Sequence, residues 1–257
     1  MQGLRARGVA VHYGSRRVLA GLDLPLMRPG EVTVLAGPNA AGKSTLLRAI
    51  AQLQGHRGQV LLDGQDLARM PAQARARLIG FMPQTLPAGS SLVVLESVIA
   101  ALRAGGAGAA QADRKAMATL DSLGIATLAL EPLSALSGGQ RQMVSLAQAI
   151  VRDPRLLLLD EPTSALDLAR QVRLLSELRR LAGEGRIVVA VLHDLALAAQ
   201  WADRIVLMHA GRTHAEGRPD QVLTPALLAE VYGVEARVER CSRGRIMVLI
   251  DGEHAPG

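Results

Sequence analysis

The segment "EVTVLAGPNAAGKST", Glu31 to Thr45, runs from a continuous apolar stretch through a loop into helical spacing. An apolar run of this length, without alternation, fits a strand buried on both faces of a parallel sheet. The nine residues after it, Gly37, Pro38, Asn39, Ala40, Ala41, Gly42, Lys43, Ser44 and Thr45, match G-x-x-x-x-G-K-S/T. In that setting the loop N–H groups and the following helix N-terminus can hold phosphate. Lys43 adds a mobile positive charge near β- and γ-phosphates, and the Ser44 hydroxyl can ligate Mg²⁺. A plain glycine turn before a helix is the alternative. The complete motif between strand and helix argues against it.

Two more apolar runs end in polar chemistry. "RLLLLDE" ends at Asp160 and Glu161, and "RIVVAVLHD" at His193 and Asp194. Parallel sheets bind ligands beyond the carboxyl ends of their strands, so these groups and the phosphate loop are expected at one edge. Asp160 can hold Mg²⁺ through a water, and Glu161 is placed to polarise an attacking water. A lone D-E pair would read as a solvated strand exit. Beside a complete phosphate loop it does not. His193, at the end of the third run, is expected to reach a γ-phosphate. Gln84 in "FMPQ" and Tyr13 in "VHYGSRRVL", taken alone, read as a turn residue and a half-buried strand residue.

A second glycine-bearing segment, "LSGGQRQ", covers Leu136 to Gln142. Ser137 and Gln140 have the spacing of a capping box before a helical run that stops at Asp153-Pro154. A capping box does not require Gly138 and Gly139, which weaken a helix start. They permit close approach of a backbone to some partner.

Composition narrows the rest. The chain has 257 residues, 49% hydrophobic and only 2% aromatic. Aliphatic side chains must therefore build the core, and stacking of bases on aromatic platforms is disfavoured. The net charge of +6 comes from scattered arginines, with Lys43 and Lys115 the only lysines. No basic run forms a patch, so a solvated surface is favoured and no nucleic-acid partner is expected. Cys241 is the only cysteine, which excludes an internal disulfide and suits a reducing compartment. The N-terminus lacks an apolar signal core, and no apolar run approaches the ~18 residues of a membrane helix.

From about Thr85 to Asp153 the pattern is helical, including Ser91 to Arg103 and Asp113 to Leu123. A loose "AGGAGAAQ" linker, Ala104 to Gln111, separates those two helices. Beyond His193 a helix near Leu195 to Ala202, a strand Arg204 to Met208, a turn at Ala210-Gly211 and a helix Pro225 to Val231 follow. "RVERCSRGRIMVLI" closes the pattern as a hairpin with Gly244 in its loop.

These pieces, in this order, resemble the ATP-binding subunit of ABC transporters over nearly the whole chain. The fold this implies is α/β: a P-loop NTPase core with a mostly parallel sheet, an N-terminal antiparallel β region and an inserted helical subdomain. One domain spans 1–257, with its core at about 1–84 and 154–235, the helical subdomain at about 85–153 and a hairpin at about 236–252. By resemblance, Tyr13 stacks on adenine with Val18 nearby, and Gly37 to Thr45 is the Walker A loop. Gln84 contacts Mg²⁺ and water and senses the membrane partner. Asp160 and Glu161 are the Walker B pair, and His193 is the switch histidine. The family's helix start at Ser137, Gly138, Gly139 and Gln140, with Asp167 in "SALD", meets ATP held by a second copy in a head-to-tail dimer. Glycine is common in the family where this chain has Ala40. If that position needs positive φ, alanine is strained there, though Gly37 and Gly42 remain.

The resemblance further implies a Mg²⁺-dependent ATPase working with two polytopic permease subunits and, indirectly, a substrate-binding protein. Its place would be peripheral, on the cytoplasmic face of the cell membrane. The segment Val191 to Val234 resembles ATPases of importers for iron–siderophore complexes, haem and cobalamin. A ferric siderophore is the first expectation for cargo, with haem and cobalamin behind it. Two other classes compete: a non-transport ABC ATPase acting on ribosomes or DNA, and a nucleotide-binding subunit without turnover. The single ATPase unit and lack of a long coiled-coil insertion oppose the former. Glu161 and His193 oppose the latter.

Overall fold

The computed structural model describes residues 2–85, 92–105 and 109–253, with backbone alone at 109–111. The chain begins with β1 (Leu4–Tyr13) and β2 (Arg16–Met27), then β3 (Val32–Ala36), the phosphate loop and α1 (Lys43–Ile50). It continues through β4 (Arg57–Leu62), β5 (Gln65–Asp66), α2 (Ala72–Leu78) and β6 (Ile79–Met82). Three helices follow, α3 (Val94–Ala104), α4 (Ala109–Ser122) and α5 (Gly138–Ile150). Then come β7 (Leu156–Asp160), α6 (Leu168–Gly183), β8 (Ile187–Val191), α7 (Leu195–Trp201), β9 (Arg204–His209) and β10 (Arg212–Gly217). The chain closes with α8 (Pro219–Val222), α9 (Pro225–Tyr232), β11 (Val234–Arg240) and β12 (Ile246–Glu253).

A six-stranded sheet in the order β10-β9-β3-β8-β7-β6 forms the centre. Every neighbouring pair in it is parallel except the antiparallel edge β9/β10. A second, antiparallel sheet has the order β2-β1-β4-β5, and β11 pairs with β12 in a separate hairpin. The three apolar runs are β3, β7 and β8, and β8 lies between the other two. Leu35 and Asp160 both pair in register with Val191. All three strands therefore end at the same edge.

Those strands are apolar apart from Thr33 and the terminal Asp160 because both faces are covered. Val34, Leu157, Leu159, Val188 and Ala190 join a core shared with α3 to α7. Leu35, Leu156, Leu158, Ile187, Val189 and Val191 face the opposite way, into a core shared with α1 and the antiparallel sheet. The period-two split along each strand is the pleat itself. Among the described residues, no helix is long and apolar enough to cross a membrane.

The helical region departs from expectation at one join. Ala104 ends α3, and α4 already starts at Ala109, so the linker read over Ala104 to Gln111 is shorter than its composition suggests. Alanine is the strongest helix former, so an Ala-rich stretch read as loose extends the helix instead. Residues 106–108 of that linker, Ser91 of the expected first helix, and 86–90 of the expected subdomain lie outside the described residues.

Candidate active site

The phosphate loop is shaped by contacts that exclude side chains. Gly37 has φ +142, and a Cβ there would lie 2.1 Å from the Met208 carbonyl oxygen. Gly42 caps α1 at φ +96, where a Cβ would lie 2.7 Å from the Leu19 side chain. Between them Ala40 sits at φ 62. It therefore carries the strain foreseen for a position where glycine is usual. A left-handed conformation costs an L-residue about 1–2 kcal/mol. Glycine relieves that, but loses part of the gain through greater freedom in the unfolded chain. Ala40→Gly should therefore stabilise the protein by up to about 1 kcal/mol, or roughly 2–4 °C in melting temperature. Thermal unfolding checks this; a lower melting temperature would show that the alanine methyl makes a compensating contact.

Lys43 is 5% exposed, and its Nζ donates to the carbonyls of Gly37 at 2.7 Å and Pro38 at 2.8 Å. Burial lowers its pKa, against the opposing pull of Glu161 and Asp160. Both of those acids stand at the end of β7. Asp160 is fully buried and accepts from the Ser44 hydroxyl through Oδ1 at 2.8 Å. Burial raises its pKa, and the Ser44 bond works the other way. Its second oxygen, Oδ2, is buried without a hydrogen-bond partner.

That orphaned oxygen beside a serine hydroxyl fits Mg²⁺. The ion prefers one or two hard protein oxygens and completes its shell with waters and substrate phosphates. Among the described residues no cluster of three His, Cys, Asp or Glu side chains offers a protein-only metal cage.

Glu161 is held in the left-handed region, at φ 53. Its Oε2 accepts from Gln84 Nε2 at 2.8 Å, and its Oε1 lies 2.6 Å from His193 Nε2. Gln84 and His193 thus bracket one carboxylate from the ends of two other strands. Glu161, His193, Tyr13, Val18 and the loop from Asn39 to Thr45 line a single cleft of about 370 Å³. Tyr13 is 45% exposed, which leaves its ring accessible at that cleft. Gly37 and Pro38 stand behind the loop through Lys43, and Asp160 through Ser44.

The remaining candidates lie outside this cleft. Ser137 and Gln140 form the expected capping box: Gln140 N donates to Ser137 Oγ at 3.3 Å, and Ser137 N to Gln140 Oε1 at 2.8 Å. Gly138 lines a different pocket, shared with Gln84. Asp167 caps α6 by accepting from Arg170 N at 2.8 Å, and pairs with the Arg170 guanidinium at 3.3 Å.

Three residues near the site escaped sequence reasoning. Arg16 lines the cleft opposite Tyr13 in the β1–β2 register. The adjacent arginines in "YGSRR" were the available signal. Tyr232, at the end of α9, hydrogen-bonds with the Gly37 backbone, while burial pushes its pKa up to about 12. No local motif marks it, because α9 is distant in sequence from the loop. Gln142 donates to the Glu161 carbonyl at 2.7 Å from inside an apolar helical pattern.

A model of a family described as ABC transporter matches residues 22–164. The hemin import ATP-binding protein HmuV of Pseudomonas fluorescens is 40% identical over 253 residues, covering 96% of this chain and 99% of that protein. A solved chain assigned to a metal-chelate type ABC transporter, in an inward-facing conformation, aligns with TM-score 0.80 at 26% identity and covers 98% of both chains. A bacterial ABC transporter cassette solved as a dimer aligns with TM-score 0.77 at 28% identity, covering 84% of this chain and 98% of that one.

Proposed function

The chain belongs to the ABC transporter family as an ATP-hydrolysing subunit, and from that premise we propose that it powers haem import through a membrane permease. The observation that carries the cargo is the 40% identity, over 96% of the chain, to a protein named for hemin import. The sequence alone puts a ferric siderophore first, with haem and cobalamin together behind it. The relative's name favours haem over the siderophore, and the likeness to a metal-chelate type transporter suits either.

In this reading ATP lies in the cleft with adenine on Tyr13 and Val18. Its phosphates rest in the loop from Gly37 to Thr45, where Lys43 exchanges its two carbonyl partners for phosphate oxygens. Ser44, Asp160 and Gln84 would hold Mg²⁺, which when bound would neutralise phosphate charge. Glu161 takes a proton from water as the water oxygen bonds to the γ-phosphorus. The bond from that phosphorus to the bridging oxygen breaks, and its electron pair leaves with ADP. His193 orients the Glu161 carboxylate and reaches the γ-phosphate.

A second copy completes the site head to tail. Its Ser137, Gly138, Gly139 and Gln140 offer a helix N-terminus to the γ-phosphate, with Asp167 alongside. Two permease subunits bind near Gln84, a substrate-binding protein delivers cargo to them, and the ATPase sits peripherally at the cytoplasmic face. Deleting the gene in its host and following labelled haem, ferric siderophore and cobalamin separately tests the cargo. Loss of haem uptake alone is the expected result. Normal haem uptake with lost siderophore uptake would overturn haem and restore the siderophore.

A further inference from the structure

We propose that Gln142 is a positioning residue that holds the catalytic Glu161 by its main chain and links it to the helix serving the second copy. The proposal rests on the roles given above to Glu161 and Ser137. Gln142 belongs to "LSGGQRQ" but lies beyond the part that faces nucleotide. It is 6% exposed on α5 and does not line the ATP cleft. Its amide is spent on one turn, Glu161 to Ala165. Nε2 donates to the Glu161 carbonyl at 2.7 Å and to Ser164 Oγ at 3.3 Å, while Oε1 accepts from Ala165 N at 3.0 Å.

The Glu161 carbonyl is also the acceptor for Ser164 Oγ at 3.1 Å and Ser164 N at 3.3 Å. Three donors thus converge on a single peptide oxygen, that of Glu161, whose Cα is left-handed though not glycine. Such conformations persist where surrounding contacts over-determine them. Here the turn aims the Glu161 carboxylate at Gln84 and His193, and Gln142 supplies the one donor from another element. Ser137 caps the same helix five residues earlier. A shift of that helix under the partner's γ-phosphate is carried by Gln142 to the Glu161 peptide and to the segment before Asp167. The base of one site is thereby tied to the cap of the other.

The test is steady-state ATP hydrolysis by the assembled transporter carrying Gln142→Leu, which keeps bulk and removes all three bonds. Leaving buried groups unpaired should lower kcat roughly 10-fold or more, with KM for ATP within about 2-fold and cooperativity in ATP lost. Ser164→Ala, which removes one convergent donor with little risk to folding, should lower kcat by about 3-fold at unchanged KM. Adding Gln142→Leu to Glu161→Gln should then alter the residual rate less than about 2-fold, because a residue acting only through Glu161 has nothing left to position. Equal falls in kcat and apparent ATP affinity, or full additivity with Glu161→Gln, would overturn the proposal and leave the function standing. Glu161→Gln turning over at the wild-type rate would sink the role of Glu161 and the proposal with it.

Discussion

Glu161→Gln in the assembled transporter will bind Mg²⁺–ATP and lose roughly 10²–10³ of its turnover or more. The substitution keeps length and shape, so the side chain can still reach Gln84 and His193, which lie 2.8 and 2.6 Å from the native carboxylate. What it removes is a site for the water's proton, since an amide cannot act as the base. The phosphate loop and Lys43 are untouched, so equilibrium nucleotide binding should stay near the wild-type value. Binding measured beside steady-state hydrolysis separates the two effects. Hydrolysis near the wild-type rate would remove Glu161 from the role of base.

Mixing Lys43→Ala subunits with Ser137→Arg subunits will restore ATP-driven closure that neither homodimer shows. Lys43 stands in the cleft, and Ser137 stands outside it at the start of α5. If the two belong to one site only across a dimer, the mixed dimer has one site with both lesions and one with neither. Ser137→Arg also breaks the cap, which costs about 1 kcal/mol by itself. Ser137→Ala loses the same cap without the bulk and serves as the control. Cross-linking across the interface reports closure. A Ser137→Arg homodimer that still closes on ATP would refute the shared site.

The central sheet and the phosphate loop were legible because each leaves a local mark. Strands covered on both faces give unbroken runs such as Leu156 to Leu159, and the loop's glycines answer to close contacts with Met208 and Leu19. The meeting of Asp160, Glu161 and His193 followed from the rule about strand ends. The long β1–β2 pair was less legible from residues alone, since its register is interrupted by several irregularities that blur alternation. Gln142 was missed for a different reason. Helical periodicity marks which face is buried, and a single polar residue on that face looks like noise until its partners are known. Tyr232 and Gly37 likewise meet only through tertiary structure, across most of the chain length.

Asp160 also ties the stability of the fold to pH and to ligand. A buried carboxylate with an unpartnered oxygen, its pKa raised, makes folding less favourable as pH rises through the folded pKa. A ligand that satisfies that oxygen and binds only the folded chain shifts the balance back by mass action, by about 2.7 kcal/mol at a hundred times its dissociation constant. On the proposed reading that ligand is Mg²⁺ held together with ATP, which would then support the fold as well as fuel turnover. Stripping Mg²⁺ and nucleotide from the subunit should therefore lower its melting temperature, and adding them back should restore it.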